Sequence, residues 1–139
     1  MHQETITYEN FNGVEVKEVH MFNITKAELM QMELSEEGSY QIRLQKLIDT
    51  KDVKELIRLF TGLIDISYGI KTEDGKHFRK SPEILADFKD TNAYAELYMS
   101  LVSDADHASR FVNGIFPKDL IEQAKATPEY QAQIRALGN

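Results

Sequence analysis

Seven apolar residues in the middle of the chain, Val53, Leu56, Ile57, Phe60, Leu63, Ile64 and Tyr68, recur at i, i+3, i+4, i+7, i+10, i+11 and i+15. That spacing puts them on one face of an α-helix, and Leu59 and Ile66 widen the stripe nearly all round. Asp52 can cap its start, and Gly69 is placed to end it as the residue just past the last turn. A helix this apolar must be covered on most sides, so the remaining segments have to supply layers around it. With 139 residues, one domain over 1–139 is expected.

The flanking segments supply those layers. Thr5–Glu9 and Val14–Phe22 are rich in β-branched and aromatic residues and are separated by Asn12-Gly13, which predicts an N-terminal β-hairpin within residues 1–22. The apolar positions move from Val14 and Val16 to Val19 and Met21, and a bulge near Lys17-Glu18 would account for the change of face. Thr25 and Glu28 form a capping box for a helix over about 26–33. Tyr40, Leu44, Leu47 and Ile48 restart a helical stripe. Ile70–Lys80, with Asp74-Gly75 at its centre, reads as a polar turn or second small hairpin.

Ser81-Pro82 starts a helix with proline in its first turn, burying Ile84, Leu85 and Phe88. Further helices are expected through Tyr94–Val102, from Ser103 and Asp106 to a stop at Asn113-Gly114, and around Leu120–Ala124. A last one over 127–139 could detach or swap between subunits. The fold class expected is therefore α+β, mainly α: a hairpin followed by six to eight short helices in a helical body over 26–125.

Chemistry is sparse. The chain has no Cys and four His, which removes disulfides, thiolate nucleophiles and Cys-ligated zinc. His2 lies at the terminus, His20 in a strand and His77 in the polar turn, none with a spaced partner. His107 follows Asp104 and Asp106, but that run reads as an acidic first helical turn, and no second His pair completes a metal shell. Glu36-Glu37 and Asp87-Asp90 read as solvated carboxylates. Gly62, Gly69 and Gly75 match no phosphate loop, and Thr72–Gly75 lacks the alternating ligands of a calcium loop. A non-enzymatic protein without cofactor or metal is expected.

The net charge is -7, which repels phosphate backbones; the basic candidates Lys71, Lys76, Arg79 and Lys80 are interrupted by Glu73 and Asp74, so no nucleic acid partner is expected. No apolar run approaches a membrane span, and the N-terminus does not read as a secretory signal, so a cytoplasmic protein is expected. Candidate protein contacts are apolar residues beyond what the core requires. They are Tyr8, Phe11, Val19, Met21 and Phe22 on the hairpin, Met30 and Met32 beside it, and Phe111, Ile115 and Phe116 around a glycine turn. Burial in the core is the competing reading for each, and self-association through the hairpin edge is a further option.

Several runs resemble one family. Asn10-Phe11-Asn12-Gly13, Phe22–Leu29, Met32-Glu33, Ser67-Tyr68-Gly69, Asp74-Gly75-Lys76 with Phe78, Ser81-Pro82-Glu83, Thr91 with Ala93-Tyr94, and Phe111–Ile115 before Pro117 are similar to tail assembly chaperones of siphophages of Gram-positive hosts. The resemblance implies a protein that binds the tape measure protein, keeps it soluble, helps recruit tail tube subunits, and is absent from the mature virion. A small acidic inhibitor or decoy acting on a host enzyme, and a structural head–tail or tail-completion protein, are the alternatives.

Overall fold

A computed structural model describes residues 1–34, 48–49 and 52–117, with the side chains of 32–34 outside that description. Strands β1 (His2–Glu9) and β2 (Glu15–Phe22) form the hairpin, and α1 (Lys26–Leu34) follows. The long helix α2 (Val53–Ser67) runs directly into β3 (Tyr68–Lys71), which turns back as β4 (Phe78–Arg79). Three helices complete the described chain: α3 (Pro82–Lys89), α4 (Asn92–Ser103) and α5 (Ala105–Ile115).

The mainly helical expectation of six to eight short helices is corrected. The described residues form five helices and one four-stranded antiparallel sheet of order β1-β2-β3-β4, a mix of α and β. The two hairpins are not separate, because Met21 pairs with Gly69 and Phe22 with Tyr68. Pairing between such distant residues leaves no local periodicity to read. The helices expected around Tyr40–Leu47, Leu120–Ala124 and 127–139 lie outside the described residues.

Local signals hold at several helix starts. The Thr25 N–H donates to Glu28 Oε1 at 2.9 Å and Glu28 N–H to Thr25 Oγ1 at 3.2 Å, a reciprocal capping box. Ser81 Oγ accepts from Ile84 N–H at 3.1 Å, with Pro82 in the first turn. Asp52 accepts from Glu55 N–H at 3.4 Å. Helix α5 starts one residue later than expected, since Asp104 takes the Asp106 and His107 N–H groups while the Ser103 hydroxyl donates back to Met99 O.

Three further expectations change. The β1–β2 register runs unbroken from His2↔Phe22 to Glu9↔Glu15, so there is no bulge at Lys17-Glu18. Gly69 does not cap α2: Tyr68 is already extended at φ -70°, ψ 139°, and a Cβ on Gly69 would meet Phe78 and the Arg79 carbonyl. Asn113-Gly114 does not stop α5, which continues to Ile115; there a Cβ on Gly114 would run into the His2 ring. Both glycines answer to close packing, not to a turn. In the first hairpin it is Gly13, at φ 76°, that takes the left-handed position.

The core lies between the helices and one sheet face. Leu56, Leu59, Phe60, Leu63 and Ile64 of α2 are buried with Ile6, Phe22, Leu97, Leu101 and Phe111. Phe22, Phe60 and Phe111 meet edge-on at 5.2 to 6.2 Å, and Tyr68 stacks on Phe88 at 4.1 Å. Such aromatic pairs add about 0.5–1.5 kcal/mol each beyond area burial. Two backbone bonds tie the layers together, from Asn23 N–H to Ser67 O and from Ile24 N–H to Ile115 O, both 2.8 Å.

Candidate functional site

Even-numbered strand residues of the first hairpin share the face turned to the helices, and five of them are titratable: His2, Glu4, Tyr8, His20 and, exposed at the rim of that face, Glu18. Glu4 Oε1 lies 2.7 Å from His2 Nε2 and 2.9 Å from His107 Nε2. His107 Nδ1 is 2.6 Å from Ser100 Oγ. This string joins β1, α4 and α5, and Phe111 packs edge-on against His2 at 5.4 Å. Burial pushes the Glu4 carboxyl up, but its hydrogen bonds to His2 and His107 outweigh that and hold it below its ordinary value.

His2, His20 and His107 therefore each have a carboxylate partner, contrary to the expectation from spacing. The signal was the alternation His2, Glu4, Ile6, Tyr8, which places the polar pair on the same strand face as two core residues. Ser100 and Glu4 were missed because their link to His107 is tertiary. A Ser–His–carboxylate string can share a proton and lock three elements together. Nucleophilic use needs, in addition, room for a substrate at Ser100. Two clefts bounded by described residues are lined by other side chains, one of about 250 Å³ between Val53, Leu56, Leu101, Val102 and Ala108, the other beside β4. Among the described residues no group of three or more His, Asp and Glu side chains can hold a metal ion.

A second cluster sits beside the first. Tyr8 OH donates to Glu18 Oε1 at 2.8 Å, and His20 bridges Glu18 at 3.1 Å and Tyr68 OH at 3.2 Å while its ring packs on Phe88 at 4.8 Å. The hydrogen bond to Glu18 pushes the Tyr8 hydroxyl up, and the same bond is the main reason the Glu18 carboxyl is lowered. Burial, with the nearby Glu18 and Asp87 charges, raises Tyr68.

The candidate contact residues divide by exposure. Tyr8, Phe22, Phe111, Ile115 and Phe116 are in the core, and Met21 is half-buried. Phe11 is 79% exposed at the hairpin tip, Met30 65% on α1 and Val19 57% on the outer sheet face. The side chain of Met32 lies outside the described residues. No described helix is long and apolar enough to cross a membrane.

No curated protein and no solved structure matches the chain. A family profile described as phage tail assembly chaperone does, over residues 1–136. A match spanning almost the full sequence settles the affiliation: the chain belongs to the phage tail assembly chaperone family.

Proposed function

We propose that this chain binds the tape measure protein during tail assembly, keeps it soluble and helps recruit tail tube subunits. Membership of the chaperone family over residues 1–136 is the observation that carries the reading. The role is non-enzymatic, is performed in the cytoplasm of the infected host, and ends before the virion is complete. Contact is made by the apolar side chains left in solvent on the hairpin and α1, with Phe11, Val19 and Met30 foremost. An aromatic ring four-fifths exposed at a loop tip contributes nothing to the core, and it gains by being covered.

The test is co-expression with the tape measure protein of the same phage. The expected result is recovery of that protein in the soluble fraction, co-purifying with this chain, and reduced recovery with Phe11→Ser, Val19→Lys and Met30→Lys combined. A tape measure protein that stays insoluble and fails to co-purify refutes the reading. Mass spectrometry of purified particles is expected to lack this chain; its presence would favour a structural tail component.

A further inference from the structure

The two edges of the sheet differ in chemistry. β1 offers a long polar edge, whereas β4 is only Phe78–Arg79 and borders a depression of about 580 Å³ lined by Lys76, His77, Phe78, Arg79, Lys80 and Ile84. Lys80 is committed elsewhere: its Nζ donates to Asn23 O, Ile66 O and the Glu28 carboxylate at 2.7 to 2.9 Å. Lys76 and Arg79, by contrast, are exposed and have no carboxylate within ion-pair distance among the described residues. The carboxylates nearest in sequence, Glu73, Asp74 and Glu83, do not line the depression, and Asp74 is held in the turn by the Thr72 hydroxyl and the Lys76 N–H.

The backbone beside these cations is also open. Thr72 N–H donates to His77 O at 3.0 Å and His77 N–H returns a bond to the Thr72 hydroxyl at 3.2 Å, so these two residues face each other through hydrogen bonds, and the next pair, Lys71 and Phe78, is of the non-hydrogen-bonded kind. Antiparallel alternation then turns the Phe78 N–H and C=O away from β3, outward from the sheet. The Phe78 ring is fixed across Gly69, with Lys80 Nζ 5.7 Å from its centroid.

We propose that an acidic, extended segment of a partner protein adds to the β4 edge, its backbone pairing with Phe78 and its carboxylates meeting Lys76 and Arg79. Strand addition supplies the main-chain bonds and the charges supply selection, on a chain that is otherwise acidic and repels such a segment elsewhere. A net charge of -7 argues against nucleic acid as the occupant. The inference concerns a different surface from the hairpin and does not depend on the tape measure reading.

The experiment uses the full chain and a fluorescein-labelled ten-residue peptide alternating Glu and Thr, followed by anisotropy at low salt. The expected result is saturable binding, weakened at least tenfold by Lys76→Glu with Arg79→Glu and also by the uncharged Lys76→Gln with Arg79→Gln. Lys54→Glu, a cation on another surface, changes it less than twofold. A peptide of the same charge with proline at alternate positions binds at least fivefold more weakly. No binding, equal binding of the proline peptide, or tighter binding of a ten-nucleotide single strand would each overturn the proposal. So would a doubled light-scattering mass abolished by the Glu pair, which makes the occupant a second copy.

Discussion

The two sides of the core are written in different chemistry. On the helical side, α2 contributes Leu56, Leu59, Phe60, Leu63 and Ile64, all buried and all apolar. On the sheet side, the first hairpin turns His2, Glu4 and His20 inward beside Ile6, Tyr8 and Phe22, with Glu18 at the exposed rim of the same face. Apolar packing tolerates volume-conserving rearrangement, whereas a half-buried carboxylate between two imidazoles stabilises only while every partner stays in place. The α2 side therefore supplies bulk stability, and the hairpin side supplies a defined geometry for the strands that carry Phe11 and Val19.

The largest effect expected is on the apolar side. Phe60→Ala empties a fully buried site facing Phe111 and should cost about 3–5 kcal/mol, read as a lower urea midpoint with unchanged slope. A loss under about 1 kcal/mol would mean that α2 is not the centre of the core.

Glu4→Gln comes next and probes the polar side. The amide oxygen can keep the Oε1 place between both imidazoles, but the charge is lost and the NH2 takes the Oε2 place, 3.1 Å from His107 Nε2, so a cost of about 1.5–3 kcal/mol at pH 7 is expected. Because the folded-state carboxyl lies below its ordinary value of 4.5, its contribution is complete above that value and is lost as pH falls through the lowered one. The variant's stability should thus be flatter than that of the parent on the acid side. Parallel acid limbs for the two proteins would show that the His–Glu string is not coupled to folding.

The same contrast explains what could be read beforehand. α2 was legible because its stripe, its Asp52 cap and its length all agree, and the caps at Thr25 and Ser81 were legible because their partners are three residues away. The hairpin's existence was legible, its inward face was not. Val19 and Met21 are apolar but point outward or sit half-buried, while His20 points inward, so hydrophobicity suggested a bulge that the continuous register lacks. The joining of the two hairpins, and the link from His107 to Ser100 and Glu4, depend on contacts across the fold, for which no spacing rule exists. Phe11 and Val19 stand out in the sequence by their place on the hairpin and Met30 by the methionine patch beside it, but only exposure separates them from Phe22 and Phe111, which are equally apolar.

Glycine substitution extends the comparison to finer effects. Gly114 lies inside α5, where alanine would ordinarily favour the helix. Here the added methyl meets the His2 imidazole, and moving that ring breaks its bond to Glu4. Gly114→Ala is expected to destabilise by about 1–2 kcal/mol, the overpacking cost less the helical gain. His2→Ala should relieve the clash, so the double variant loses less than the sum of the two single ones. Strict additivity would place His2 outside the packing of α5.

The smallest effect has the opposite sign. Gly62 lies in the interior of α2, is exposed, and a Cβ built there has nothing within 4 Å. Gly62→Ala gives up only backbone freedom of the unfolded chain and should stabilise by about 0.5–1 kcal/mol. Measured side by side by thermal melts, the two glycine variants differ in sign although both sit in helices, because only one of them faces the hairpin. If Gly62→Ala also destabilises, the exposed flank of α2 that Gly62 shares with Arg58 belongs to a contact and not to solvent.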